Sequence, residues 1–425
     1  MTLLVFITSL LGAMAIGVPV AFALMFCGVV LMAYMDMFNT QIVAQNMIKG
    51  ADTFTLLAIP FFLLAGELMN SGGLSRRIIN FALACVGHIR GGLGIVAILA
   101  AVIMASLSGS AAADTAALAS ILIPMMARAG YNVPRAAGLM AAGGIIAPVL
   151  PPSLAFIIFG VAANVSISKL FMAGIAPGLM MAVALLIAWF IVIRTSKIEA
   201  LPRQPMKVRL KATVDAAWAL GMPVIILGGI RMGVVTPTEA AVVAAVYALL
   251  VGMFVYRELT ISNLYGVLLR AAKTTAVVMF LVSAALVSAW LITAANIPAE
   301  LGDMIEPLIE HPKLLMLAIM VLVLIVGSAL DLAPTILILT PVLMPIIIKA
   351  GIDPVYFGVL FIMNNCIGLL TPPVGVVLNV VSGVAKIPLG KVTIGVWPFL
   401  LSQVIVLFLL VAFPELVLVP LKWLY

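Results

Sequence analysis

The feature that most constrains this chain is a pair of apolar segments, each interrupted by residues that break helices. The segments cover 106–153 and 327–375, and a shift of 221 positions brings Pro151-Pro152 of the first onto Pro372-Pro373 of the second. Irregular backbone within a bilayer is tolerated only where protein buries it or where it lines a polar cavity. Paired, Gly/Pro-interrupted hydrophobic segments in two corresponding halves indicate the binding site of a secondary transporter.

Composition defines the broad class of the chain. Of its 425 residues, 65% are hydrophobic and 9% are charged, and the mean hydropathy is +1.34. Apolar runs of about 20 residues, the length that crosses a bilayer, recur throughout. We therefore expect an all-α polytopic membrane protein embedded in a lipid bilayer. The net charge of +7 is typical of basic loops beside a membrane and does not indicate nucleic-acid binding.

The sequence lacks the common motifs of catalysis and nucleotide binding. It contains no phosphate-binding loop of the GxxxxGK[ST] type, no HExxH, no GxSxG and no dinucleotide-binding fingerprint. Neither an enzyme nor an ATP-driven pump is therefore predicted.

The interrupted segments divide the chain into two repeats, over 1–193 and 215–425, joined by a basic linker at 194–214. Each repeat is predicted to hold an arm helix, a re-entrant helical hairpin and a broken span. In chain order these elements are 74–90, 93–127 and 135–164 in the first repeat, and 260–273, 313–348 and 355–385 in the second. Gly17-Val-Pro19 interrupts the first apolar run, so whether 1–35 forms one span or two stays open.

Charge predicts how the repeats are oriented. If the linker faces the cytoplasm, 16 of the 22 basic residues fall in cytoplasmic segments, as the positive-inside rule requires. About ten spans, in two sets of five, then give the repeats inverted topology. One hairpin enters from each face, and the two tips meet near the midplane. This architecture suits alternating access to one central site.

Polar residues at the hairpin tips and helix breaks are the candidate ligands. Unwound carbonyls and half-helix C-termini suit a cation such as Na⁺, whereas half-helix N-termini favour an anion. No Arg or Lys lies at the tips or breaks, so a carboxylate would rest on helix dipoles, hydroxyls and the ion. The position of Asp331 beside a break favours a functional role, such as cation binding, over simple helix capping. For Asp114 a function and a helix N-cap are equal alternatives. The predicted substrate-binding residues are Ser110, Ala111, Asp114, Thr115, Ser153, Ser328, Thr335 and Asn365.

Seven stretches spread over the chain carry a family pattern, among them IMASLSGSAAADTAAL and LLTPPVG. They are 56–78, 103–118, 143–153, 166–178, 236–241, 338–346 and 369–375. They resemble the large membrane subunit of tripartite ATP-independent periplasmic (TRAP) transporters, and most of all the branch that carries sialic acid or related sugar acids. The resemblance implies Na⁺-coupled import across the bacterial inner membrane, with an elevator-type movement of the hairpins and broken helices against a scaffold.

The resemblance also implies partners and ion sites. The partners are a small four-helix membrane subunit, expected as a separate chain, and a soluble periplasmic substrate-binding protein that docks on the outer face, near 296–312. Two or more Na⁺ ions are expected, in two sites that each join a hairpin tip to a helix break. The first set of ligands is Ser108, Ser110, Gly144, Val149 and Pro151, and the second is Gly327, Asp331, Asn364 and Thr371.

Several alternatives remain at this point. A TRAP importer of C4-dicarboxylates or other sugar acids shares the architecture, as does a stand-alone Na⁺- or H⁺-coupled dicarboxylate carrier that needs no binding protein. An intramembrane enzyme would need polar catalytic pairs at helical spacing, which the sequence lacks, and a channel would conduct without coupling to a gradient. The Na⁺ stoichiometry, the exact acid and the conformational state are left open by the sequence.

Overall fold

The computed structural model describes residues 1–194, 201–297 and 306–425, and within these ranges it is helical and contains no strand. The first half holds α1 (Thr2–Ala15), α2 (Val20–Tyr34), α3 (Thr40–Ala51), α4 (Ala58–Ser71), α5 (Leu74–Val86), α6 (Gly92–Ser108), α7 (Ala111–Arg128), α8 (Val133–Gly144), α9 (Leu154–Ala163) and α10 (Ile167–Ile193). The second half holds α11 (Met206–Arg231), α12 (Pro237–Leu250), α13 (Ile261–Ala294), α14 (Glu306–Ile309), α15 (Pro312–Ala329), α16 (Leu332–Lys349), α17 (Pro354–Gly368), α18 (Val376–Ala385), α19 (Leu389–Ala412) and α20 (Glu415–Leu424). Residues 195–200 of the predicted linker and 298–305 of the predicted docking segment near 296–312 lie outside the described residues.

Many helices in these ranges are suited to a bilayer. Nine segments in the described part of the chain are at least 18 residues long and apolar enough to cross a membrane. Large apolar side chains such as Phe22, Trp218, Ile325 and Trp397 lie exposed on their outer faces. Such surfaces are expected where lipid, and not water, surrounds the protein. The prediction of an all-α polytopic membrane protein is confirmed.

Local sequence explains where the central helices begin. Asn132, Ser153, Asp331 and Asp353 each accept a hydrogen bond from a backbone N–H of the first turn of the helix that follows. Thr236 does the same for α12, where Glu239 completes a reciprocal capping box. Polar caps satisfy N–H groups that have no partner within the helix. Within an apolar chain, these residues therefore fix where each half-helix starts.

The two halves share one order of elements around the interrupted segments. Helices α6 and α7 form a hairpin and α8 and α9 a broken helix, and α15 and α16 repeat the hairpin and α17 and α18 the broken helix. From α15 to α19, each helix begins 220 to 222 residues after its counterpart in α6 to α10. The halves also interlock, because α18 packs against α7 of the first hairpin and α16 of the second hairpin packs against α9.

A second group of helices forms a separate layer. Helices α2, α3 and α4 pack against α13, and α4 also packs against α12. Helix α13 contacts α16 as well, so this layer borders the second hairpin. The broken elements are therefore held against a layer of continuous helices.

The structure corrects three elements of the predicted organisation. The predicted arm helix at 260–273 is not a separate element, because 267–294 contains no Gly or Pro and α13 continues without a break. Its counterpart under the repeat shift is α3, not the predicted arm helix at 74–90, which ends as α5 at Val86 before Gly87. The linker predicted at 194–214 is shorter, since α11 begins at Met206 after Pro205.

The apolar run at the N-terminus forms two helices. Gly17 has a φ of +86°, a left-handed conformation that glycine adopts readily, and Pro19 precedes α2. Helices α1 and α2 pack against each other, so the chain reverses direction at this point. The run therefore forms two short apolar helices and not one long kinked helix.

Candidate functional site

The tip of the first hairpin rests on the break of the first broken helix. Gly109, at φ +61°, joins α6 to α7, and Ser110 caps α7 by accepting a hydrogen bond from the N–H of Ala113 at 3.4 Å. A Cβ added at Gly109 would lie 3.1 Å from the carbonyl oxygen of Pro152 and 3.3 Å from Cα of Ser153. The absence of a side chain at Gly109 therefore allows the tip and the break to come into backbone contact.

The first break is buried, and the hydroxyl of Ser153 within it is hydrogen-bonded on both sides. The hydroxyl of Ser153 donates to the carbonyl of Pro148 at 2.5 Å and accepts from the N–H of Phe156 at 3.4 Å. One oxygen behind it is different: Oγ1 of Thr115 is buried and has no hydrogen-bond partner among the described residues. Thr115 lies against the end of α8, since a Cβ at Gly144 would overlap its hydroxyl.

The tip of the second hairpin is built on a carboxylate. Oδ1 of Asp331 accepts from the N–H of Leu332 at 2.8 Å, and the hydroxyl of Thr335 donates to the carbonyl of Asp331 at 2.8 Å. The hydroxyl of Ser328 donates back to the carbonyl of Ile325 at 2.7 Å. Asp331 is exposed at the tip, whereas Thr335 is fully buried.

The second break brings two helix C-termini together. A Cβ at Gly368 would lie only 2.6 Å from the carbonyl carbon of Gly327, so the ends of α15 and α17 are in backbone contact. The amide nitrogen of Asn364 donates to the carbonyl of Met320 at 2.5 Å, and that of Asn365 to the carbonyl of Phe361 at 3.0 Å. Oδ1 of both asparagines is buried with no hydrogen-bond partner among the described residues.

A central cavity of about 210 Å³ lies where the tips and the breaks converge. Its wall includes the first residues of all four half-helices that begin near the centre, together with Ser110 and Asp331 from the two tips. These first residues are Ala111 and Ala112 of α7, Leu154 and Ala155 of α9, Leu332 and Ala333 of α16, and Val376 and Val377 of α18. The opposite wall comes from α4 and α13, through Leu63, Thr274 and Val278.

The helix ends give this centre two electrostatic sides. Each helix N-terminus has a partial charge of about +0.5 and each C-terminus about −0.5, and the effect is confined to the terminal turn. Four N-termini therefore create positive potential in the cavity, while Asp331 is the one charged side chain in its lining. Negative potential arises at the second break, outside the cavity lining. Its sources are the C-termini of α15 and α17 and the Oδ1 atoms of Asn364 and Asn365.

The predicted substrate-binding residues divide into three groups. Ser110 and Ala111 line the cavity, whereas Ser328 bonds within its own helix. The remaining five are buried behind the lining: Asp114, Thr115, Ser153, Thr335 and Asn365. Sequence reasoning missed Thr274, Leu63 and Val278, which lie on continuous helices without any interruption to indicate them.

The predicted ion ligands also lie at the centre of the molecule. Gly144, Val149 and Pro151 belong to the buried first break, and the side chain of Ser108 lies outside the described atoms. Gly327 and Asn364 belong to the contact between α15 and α17. The hydroxyl of Thr371 donates to the carbonyl of Ile367 at 3.0 Å, and Asp331 lines the cavity. Whether these atoms bind Na⁺ remains a prediction.

Comparison with known proteins places the chain in a class and then in a family. Its fold is similar to that of the Alcanivorax borkumensis YdaH transporter in a crystal structure, with a TM-score of 0.62 over 87% of this chain and 86% of the other, at 16% sequence identity. The likeness shows that the two proteins share a fold of membrane-spanning helices. Residues 7–416 match the family described as "Tripartite ATP-independent periplasmic transporter, DctM component", and the chain belongs to this family of TRAP large permeases.

Two members of this family are similar to the chain over nearly its whole length. The chain is 57% identical to the 2,3-diketo-L-gulonate TRAP transporter large permease protein YiaN of Escherichia coli (strain K12), over 100% of both chains. It is 41% identical to the sialic acid TRAP transporter large permease protein SiaM of Vibrio cholerae, over 95% of each. These relatives are transporter permeases and not enzymes. The protein is thus a multi-pass inner-membrane component of a tripartite transporter.

Proposed function

We propose that this permease imports a small sugar-derived carboxylic acid together with Na⁺ by an elevator mechanism. The observation that carries the proposal is the convergence of four half-helix N-termini on one cavity between the interrupted elements and the continuous helices. Converging N–H groups and positive dipole ends form a binding site for an anion.

Because the cavity wall has no basic side chain and includes Asp331, an anionic substrate would have to be held by the helix N-termini, hydroxyls and a bound cation. Neither Lys nor Arg is among the residues that line the cavity. The hydroxyls of Ser110 and Thr274 can bond to the hydroxyl groups of a sugar acid. The carboxylate would be held by the first turns of α7, α9, α16 and α18, which move as part of the interlocked halves.

Sodium is supported by the chemistry of the oxygens behind the cavity. Na⁺ prefers oxygen ligands, and half-helix C-termini with unwound carbonyls supply them in transporters of this kind. Oδ1 of Asn365 fits this role, because it is buried, has no partner among the described residues, and would lie 3.1 Å from a Cβ at Gly327. Its position favours the ion and not the substrate, in contrast to the prediction from sequence. Oγ1 of Thr115, beside Gly144, is the corresponding free oxygen of the first half.

The sequence favoured sialic acid as the substrate, but two observations now favour a smaller acid. Identity to the 2,3-diketo-L-gulonate permease is 57%, against 41% to the sialic acid permease. The central cavity, at about 210 Å³, is smaller than the roughly 300–1,000 Å³ of sites for drug-sized ligands. We therefore propose a six-carbon keto sugar acid such as 2,3-diketo-L-gulonate, with sialic acid and C4-dicarboxylates as the competing substrates.

The partners follow from the tripartite family. We propose that a small four-helix membrane subunit covers part of the layer formed by α2, α3, α4, α12 and α13, and that a soluble periplasmic protein delivers the acid from the outer side. The elevator movement is supported by the two-layer arrangement, since the binding elements face α4 and α13 across the cavity.

Uptake into proteoliposomes that contain this chain and its small subunit tests the proposal. Labelled 2,3-diketo-L-gulonate and labelled N-acetylneuraminate are compared, with and without the binding protein, under an inward gradient of Na⁺ or of choline. We expect uptake of the six-carbon acid that requires both Na⁺ and the binding protein. Uptake of N-acetylneuraminate alone would refute the substrate proposal. Uptake that does not require the binding protein would instead indicate a stand-alone carrier.

A further inference from the structure

A second cavity, of about 510 Å³, lies apart from the central one, between the two layers of the molecule. One side is formed by α3 and the C-terminal half of α13, which belong to the continuous layer. The other side is formed by the end of α9 and by α16 of the second hairpin. The cavity is therefore bounded by elements that an elevator movement would displace against each other.

Topology places this cavity on the outer side of the membrane. With the linker in the cytoplasm, α3, the end of α9 and the C-terminal end of α13 all lie toward the periplasm. Along α13 the central cavity is lined at Thr274 and Val278, whereas the second cavity is lined from Ala285 to Thr293. At 1.5 Å per residue, Ala285 lies about 16 Å beyond Thr274 on the same helix. An acid that arrives from the periplasm would reach the second cavity first.

Lys49 gives this outer cavity a charge that the central one lacks. It is the only charged residue in the lining, its side chain is exposed, and it forms no ion pair with any described residue. Its backbone carbonyl accepts from the hydroxyl of Thr53, which fixes the end of α3 but leaves the ammonium free. An ammonium that forms no ion pair with a described carboxylate is suited to attract and hold an anion.

The rest of the lining offers hydrogen bonds suited to a polyhydroxylated molecule. Asn46, Asn164 and Thr293 contribute polar side chains. Pro341 and Pro345 lie inside α16 and also line the cavity. Because proline has no N–H, the carbonyls of Leu337 and Pro341, four residues earlier, lack their helical partners. Both of those residues also line the cavity, so their carbonyls are candidate acceptors for sugar hydroxyls.

We propose that this outer cavity is a loading site, in which Lys49 binds the carboxylate of the sugar acid after the binding protein releases it and before it reaches the central cavity. The inference rests on the proposed function, since it requires an anionic substrate that arrives from the periplasm. It adds a second binding position and a basic residue to a pathway whose central site has none.

The test compares Lys49→Gln with a matched control, Lys169→Gln. Lys169 lies on the same predicted face, where its ammonium is 5.3 Å from the ring centroid of Tyr425, and it does not line the cavity. In proteoliposomes with the small subunit, the apparent KM for binding protein loaded with 2,3-diketo-L-gulonate should rise about 3- to 5-fold in Lys49→Gln, as expected for loss of one exposed ion pair, with kcat unchanged. Lys49→Glu should raise it further, Lys49→Arg should leave it near the original value, and Lys169→Gln should not change it.

Chemical modification provides a second readout. In Lys49→Cys the apparent KM for uptake should rise. External methanethiosulfonate ethylammonium, which returns a positive charge, should lower it again. The negatively charged sulfonatoethyl reagent should raise it further. The unmodified chain, treated with the same reagents, is the control, because Cys27 and Cys366 are buried but Cys85 is partly exposed and any effect of its modification must be subtracted. Binding of the acid-free binding protein to the permease is measured in parallel and should be equal in all variants.

The outcomes separate the loading site from the function on which it rests. Uptake by the unmodified chain with an unchanged KM in Lys49→Gln would overturn the loading site alone. The loading site would also be overturned if Lys169→Gln raises the apparent KM as much as Lys49→Gln does, because Lys49 would then act only through the general charge of this face. It would likewise be overturned if Lys49→Gln weakens binding of the acid-free binding protein, because Lys49 would then act in docking. A lack of sugar-acid uptake by the unmodified chain would overturn both proposals.

Discussion

The contact between Gly327 and Gly368 makes a quantitative prediction about the second predicted ion site. A methyl group at Gly368 would lie 2.6 Å from the carbonyl carbon and 2.8 Å from the carbonyl oxygen of Gly327. These are backbone atoms, so no side-chain rotation can relieve the clash, and the ends of α15 and α17 must separate. Overpacking of this kind costs about 1–3 kcal/mol. If the separation is opposed by the bound ion, the same energy lowers Na⁺ affinity by about 5- to 150-fold.

The measurement is the Na⁺ concentration that gives half-maximal uptake of 2,3-diketo-L-gulonate in proteoliposomes. We expect Gly368→Ala to raise it by a factor within that range. The control is Gly383→Ala in α18, where an added Cβ meets nothing within 4 Å. That change should leave the Na⁺ dependence intact and stabilise the helix by about 0.5–1 kcal/mol, as alanine does relative to glycine. Equal Na⁺ dependence in the two variants would refute the assignment of this contact to a cation site.

Two further predictions concern the free oxygen of the first half and the carboxylate of the second tip. Thr115→Val keeps the shape of a fully buried side chain and removes a hydroxyl that has no described partner. The midpoint temperature of thermal unfolding should therefore stay nearly the same or rise. If the hydroxyl binds the ion or the substrate, uptake should fall at least about tenfold. A large loss of thermal stability would show that the hydroxyl is structural. Asp331→Asn keeps a residue that caps helices well, so α16 should remain folded by thermal unfolding. Its Na⁺ activation should be weaker and less cooperative, and an unchanged Na⁺ dependence would exclude Asp331 from coupling.

Much of the fold could be predicted from the sequence, because in an apolar chain the helix breakers stand out. The glycines, prolines and polar caps at the tips and breaks set the ends of α6 to α9 and of α15 to α18 close to the predicted limits. The repeat shift of 221 residues holds for these helices within one residue. The family resemblance added the functional class, which the match over residues 7–416 confirmed.

The remaining features depend on tertiary packing that no local pattern encodes. Nothing in the sequence around Thr274 or Leu63 distinguishes them from other residues of a membrane span, although both face the central cavity. Helix α13 was divided in the prediction because a polar, basic stretch precedes its apolar part, but a helix can leave the bilayer without ending. The charge pattern of the sequence places Lys49 outside the cytoplasmic segments but predicts no role for it, because only packing brings residues of α3 and α16 to the same cavity.

The arrangement of charge at the centre argues for obligatory coupling. Each half contributes helix N-termini and C-termini to the same region, so their partial charges cancel at a distance and act only on groups bound nearby. Among the residues that line the central cavity only Asp331 has a charged side chain, so the charge that an elevator movement would carry within this cavity is that of Asp331 and of the ligands. With a monoanionic acid and an ionised Asp331 that charge is −2, and burial of uncompensated charge is strongly unfavourable. Two Na⁺ ions would balance the charge of the acid and of Asp331, which favours movement of the fully loaded site over movement with the acid alone. By the same reasoning, Asp331→Asn should lower the cooperativity of Na⁺ activation from about two ions toward one, as measured by its Hill coefficient.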